Sequence, residues 1–90
     1  MAKAIADPAE LRRFAQDLHR FNSELQGQVS AMGAKMGALQ GTWKDQEQQK
    51  FAEEFDTTMK VLVKFLRVSE QHVPFLVRKA ERLEEYLKQR

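Results

Sequence analysis

Ninety residues allow one domain, and 15 basic against 13 acidic side chains leave a net charge of only +2, too small to argue for nucleic acid by itself. With 42% apolar and 31% charged residues the chain suits a soluble, packed protein rather than a disordered tail, while no apolar run approaches the roughly 20 residues of a membrane span. The absence of cysteine excludes a disulfide framework and any thiolate metal site.

The residues before Asp7 lack the apolar stretch of a secretory signal, so any export is expected to take another route. Asp7-Pro8-Ala9-Glu10 then reads as a helix start. Asp7 can accept from a free backbone N–H, Pro8 fits the first helical position, and Glu10 completes a capping-box pattern. Leu11, Phe14, Leu18, Phe21, Leu25, Val29, Met32, Met36 and Leu39 recur at steps of three and four, which predicts one long helix with a heptad seam. Polar or small residues such as Arg12, His19, Asn22 and Ser23 fall between them. Gly27, Gly33 and Gly37 lie inside this helix, each unfavourable by about 1 kcal/mol relative to Ala. Gly33 and Gly37 share one edge with Gly41, so close packing of the second helix, or of the Trp43 ring, is expected there.

The segment Gln40–Asp45 breaks the pattern. Gly41 can take a left-handed C-cap conformation, and Asp45 or Thr42 can cap the second helix. The second seam runs Phe51, Phe55, Met59, Leu62, Leu66, Ser69, Val73, Leu76, Ala80, Leu83 and Leu87. Beside it lies a second stripe, Val61, Phe65, Val68, His72 and Phe75, so this helix carries more apolar surface than one neighbour can cover. Pro74 is expected to kink it. Counting outward from Trp43 sets Leu11 near Phe75, leaving everything past about Val77 overhanging. The fold class is therefore all-α: one antiparallel helical hairpin over residues 1–90. Its first helix is expected at about 8–39, the turn at about 40–45 and the second helix at about 46–88, kinked near Pro74. Two helices alone bury little, and a chain this small without disulfide or metal usually needs a partner. The extra stripe predicts dimerisation into a four-helix bundle through Val61, Phe65, Val68, His72 and Phe75.

Catalytic and cofactor chemistry find no foothold in the sequence. Ser69 and His72 have no carboxylate or oxyanion hole beside them, no glycine-rich phosphate loop exists, and the two histidines have no companions at metal-ligand spacing. No catalytic, cofactor-binding or metal residue is assigned. Lys60, Lys64, Arg67, Arg78 and Arg82 follow one edge of the second helix, but interleaved acids make this a solvated face, with Arg78–Glu81 and Glu84–Lys88 as expected surface pairs. Met32, Met36 and Met59 are expected to fill the core.

Length, helix 1, the mid-chain Trp43 turn, helix 2, Leu39 four residues before the Trp and Phe51 eight after it together resemble the WXG family of type VII (ESX-type) secretion substrates. The chain departs from that pattern at Asp45, where the family has Gly, and at Arg90, where an export signal of the form Tyr-x-x-x-Asp/Glu starting at Tyr86 would place an acid. The resemblance implies a non-enzymatic, secreted dimer of antiparallel hairpins, homotypic or paired with a related hairpin. It also implies that Trp43, Lys44, Asp45 and Tyr86 form a composite surface for a secretion ATPase or a partner effector. An intracellular adaptor that targets a larger secreted toxin is the alternative, and a nucleic-acid-binding dimer a more distant one.

Overall fold

The structure, a computed structural model, describes residues 6–89. Arg90 and the first five residues lie outside the described residues. Two helices, α1 (Pro8–Gln40) and α2 (Gln46–Lys88), make an antiparallel hairpin measuring 68 × 21 × 14 Å. The smallest dimension is little more than one helix diameter. The molecule is thus one layer thick, and every side chain outside the seam between the helices faces outward.

Local chemistry sets both helix starts. The Asp7 carboxylate accepts from the Ala9 N–H at 2.9 Å with Pro8 at the first helical position, and the Asp45 carboxylate accepts from the Gln48 N–H at 3.0 Å. Asp45, not Thr42, is therefore the α2 cap; the Thr42 hydroxyl donates back to the Leu39 carbonyl at 3.2 Å. Gly41 does not adopt the expected left-handed conformation, its φ being −69°. The Leu39 carbonyl accepts from both the Thr42 and the Trp43 N–H, so the last turn closes without any left-handed residue. Helix α2 continues through Pro74.

The seam differs from the sequence expectation in four ways. Phe14, Phe21, Met32 and Leu39, expected in the α1 seam, are 42–56% exposed. Ala15 takes an inner place instead and is fully buried, as is Ala80, which the expected α2 seam already included. Asn22, expected on the polar face, is 2% exposed and lies in the seam. The helices also pair further along than a count from Trp43 gives. The Ser69–Asn22 hydrogen bond fixes the register, and an equal count outward sets Leu11 level with Ala80 rather than Phe75. Helix α2 starts alongside the turn rather than beyond it, so the overhang is shorter than expected. Glu84, inside the expected overhang, reaches Arg12 instead.

Candidate functional site

Within the seam, polar groups satisfy one another. The Ser69 hydroxyl donates to Asn22 Oδ1 at 2.9 Å, and Asn22 Nδ2 donates to Glu70 Oε2 at 2.7 Å. His19 Nδ1 lies 3.2 Å from Glu70 Oε1 at the edge of this cluster. Ser69 is 4% exposed and its hydroxyl proton is committed to an amide oxygen, so it is a packing group and not a nucleophile in this state. His72 is exposed on a different face of α2.

Nearer the open end, Arg12 donates through Nε and Nη2 to the two oxygens of Glu84 at 2.9 and 2.8 Å, a fork-to-fork pair. These hydrogen bonds, assisted by the charges of Arg12 and Lys88, hold the Glu84 carboxyl below its usual range; partial desolvation works against them. Glu84 therefore does not pair with Lys88 as expected; Lys88 lies 3.9 Å from Glu85.

The largest unassigned feature is apolar. Val61, Phe65, Val68 and Phe75 of the predicted second stripe are 43–62% exposed, and His72 beside them is exposed too. The α1 residues turned out of the seam join them: the Phe21 and Phe65 rings meet edge-on, with centroids 6.4 Å apart. Phe14, Phe21, Met32 and Leu39 repeat at helical spacing, so one broad side of the hairpin carries two parallel apolar stripes. An exposed apolar side of this kind on a small protein marks an interaction surface. The sequence reveals the α2 half of this face. Its α1 half reads from sequence as core, because three-and-four spacing alone does not say which of two adjacent stripes turns inward.

At the turn end, the half-buried Trp43 packs on Phe51 with centroids 5.6 Å apart, and Phe51 stacks on Phe55 at 5.9 Å. Lys44 and Asp45 are exposed beside it. Tyr86 is 60% exposed at the opposite end of the hairpin, so one chain does not bring these four residues together.

Gly33 and Gly37 do not pack closely against α2 or Trp43. A Cβ built at either meets nothing within 4 Å. They line a shallow groove with Met36, Phe55 and Met59. Met36 and Met59 are half-buried, but Met32 is 43% exposed. Among the described residues no cluster of His, Asp and Glu could hold a metal, and no helix is long and apolar enough to cross a membrane.

The crystal structure of a proline-to-alanine mutant of EsxB, a secreted protein of Bacillus anthracis, is similar to this hairpin. It has a TM-score of 0.81 at 26% identity, covering 94% of this chain and 96% of that one. A selenomethionine-labelled EsxB structure from the same organism gives a TM-score of 0.77 at 26% identity, covering 96% and 98%. Among curated proteins nothing matches. The family model for proteins of 100 residues with WXG matches residues 4–86, nearly the whole described hairpin, and the chain belongs to the WXG100 family.

Proposed function

We propose that this protein is a non-enzymatic substrate or adaptor of a type VII (ESX-type) secretion system, acting as a dimer of hairpins that works by protein–protein recognition. The observation that carries this reading is the uncovered apolar side. Five large aromatic side chains stay 41–56% exposed on a one-layer hairpin, an arrangement that water disfavours and a second hairpin relieves. Family membership and the likeness to a secreted protein supply the export half of the reading.

In an antiparallel pair, the α2 end of one hairpin lies beside the turn of the other. Trp43, Lys44 and Asp45 of one chain and Tyr86 of its neighbour then form a single surface for an export ATPase or a partner effector. The exposed Lys60, Lys64, Arg67, Arg78 and Arg82 remain a solvated edge, consistent with a protein partner rather than nucleic acid. The test is expression in the native host, with culture supernatant assayed in cells with and without the export ATPase. ATPase-dependent release that is lost in Phe65→Glu supports the reading; retention in both strains favours the intracellular adaptor. Release that survives Phe65→Glu separates export from the apolar face.

A further inference from the structure

The middle of α2 carries unbalanced charge. Between Asp56 and Glu81 it holds Lys60, Lys64, Arg67, Arg78 and Lys79, and Glu70 is its only acid. Glu70 is turned across the seam, accepting from Asn22 at 2.7 Å with His19 at 3.2 Å. Glu81 does not pair with Arg78 as its spacing allows; it lies near Arg12, where it adds to the charge of Glu84. Lys60 is held by Asp56 at 3.1 Å. Lys64, Arg67, Arg78 and Arg82 are exposed and have no ion-pair partner among the described residues.

These four cations share the outer ridge of α2. They form two pairs, Lys64 with Arg67 and Arg78 with Arg82, each pair about one helical turn apart. The pairs are centred about 22 Å from each other along the helix. Like charges one turn apart repel, so the ridge disfavours its own helix, and no carboxylate of the hairpin offsets it. We propose that this ridge receives an acidic helix of another protein, whose carboxylates stand in two pairs at the same separation. The surface is separate from the Trp43 turn and from the apolar stripes, so it goes beyond the reading above.

The chemistry fits carboxylates. Three of the four cations are arginines, and a guanidinium matches a carboxylate as a fork, as Arg12 does on Glu84. Asp or Glu at three- or four-residue spacing on a partner helix repeats the spacing within each pair. The gap between the pairs suits an uncharged polar stretch. Gln71 is exposed there, and Pro74 has no N–H to give the Glu70 carbonyl its helical bond. A nucleic acid fits poorly. A duplex presents a charge about every 1.7 Å, so it would run through the cation-free gap and onto the exposed Asp56 and Glu85 at the two ends.

The probe is a synthetic helical peptide of about 20 residues, with two glutamate pairs at this separation on one face and alanine and glutamine elsewhere. Its control has the same composition, with the second pair moved to the opposite face. Both are titrated at low salt against the purified full-length chain, followed by anisotropy. Each exposed ion pair contributes up to about fivefold, so the control binds roughly tenfold more weakly. Arg67→Gln with Arg78→Gln weakens the probe by a similar factor. Arg13→Gln with Lys35→Gln removes the same charge from α1 and changes binding less than about twofold. Circular dichroism checks that each variant keeps its helicity. Equal binding of the two peptides, or equal weakening by the two double variants, would reduce the ridge to a general attractor of anions and overturn the proposal. Duplex DNA, or vesicles of phosphatidylserine and phosphatidylcholine, bound more tightly than the probe and through Arg67 and Arg78 would overturn the partner class. No probe binding up to about 1 mM would overturn the site itself. Export is not read in these titrations, so their failure leaves the secretion reading to its own test.

Discussion

Replacing Asn22 with Ala tests whether the seam is held by its polar pair. Asn22 and Ser69 are 2% and 4% exposed, and the Ser69 hydroxyl donates to Asn22 Oδ1 at 2.9 Å. Truncation strands that hydroxyl in an apolar seam, a loss of about 1–3 kcal/mol if nothing replaces the acceptor. It also removes the Asn22 bond to Glu70, though Glu70 is exposed enough to recover water and keeps His19 beside it. The Ser69 hydroxyl can partly recover by turning to the carbonyl one helical turn back. The net expectation is about 2 kcal/mol, read as a lower urea midpoint at fixed protein concentration with an unchanged slope. The double variant Asn22→Leu with Ser69→Ala removes both polar partners together and should recover most of that loss. An Asn22→Ala protein within about 0.5 kcal/mol of wild type would refute the reasoning, since neither group could then be desolvated as described.

Gly33→Ala and Gly37→Ala should each stabilise by up to about 1 kcal/mol, because a Cβ there meets nothing within 4 Å and only the helix penalty of glycine is removed; a lower melting temperature would show a contact not present in the hairpin. Glu84 ionises more readily in the folded state, so its contribution is present above the usual carboxylate range and lost as pH falls through the lowered folded value. The stability difference between wild type and Glu84→Gln should therefore be full at neutral pH and vanish in acid, as followed by urea titrations across pH. Asp45→Ala should cost about 1 kcal/mol through loss of the cap on the Gln48 N–H, whereas Asp45→Gly should cost only a few tenths, measured as urea midpoints.

The parts of the fold legible in the sequence are those fixed by short-range chemistry. Asp7-Pro8 and Asp45 mark helix starts because a carboxylate needs only the next two or three N–H groups to cap them. The hairpin comes from two long periodic segments around one break. The α2 half of the inner seam is legible, Ser69 and Ala80 included, but the α1 half is not, because Leu11, Phe14 and Leu18 satisfy helical periodicity as well as Leu11, Ala15 and Leu18 do. What chooses between them is the packing against α2, which puts Ala15 inside and leaves Phe14 and Phe21 exposed. The open surroundings of Gly33 and Gly37 have the same root: small residues on one edge suggest close approach, but the fully buried small residues are Ala15 and Ala80.

That exchange of places bears on how the protein is stabilised. Five of the six phenylalanines are 41–56% exposed, while the inward-facing places include an asparagine and a serine. An isolated hairpin buries its smaller and more polar seam and leaves its largest apolar groups in water. At about 200 Å² each and about half exposed, those five rings leave roughly 500 Å² per chain in water, and at about 25 cal/mol per Å² covering them outweighs what any single seam contact contributes. Folding and pairing should therefore be coupled, and stability should depend on concentration. For a dimer that unfolds to two chains, each tenfold dilution removes about 1.4 kcal/mol per mole of dimer. Melting followed by circular dichroism from one to one hundred micromolar should show a midpoint that climbs steadily with concentration. A midpoint constant over that range would mean that the seam alone holds the hairpin, and that the exposed phenylalanines serve a partner met only after folding is complete.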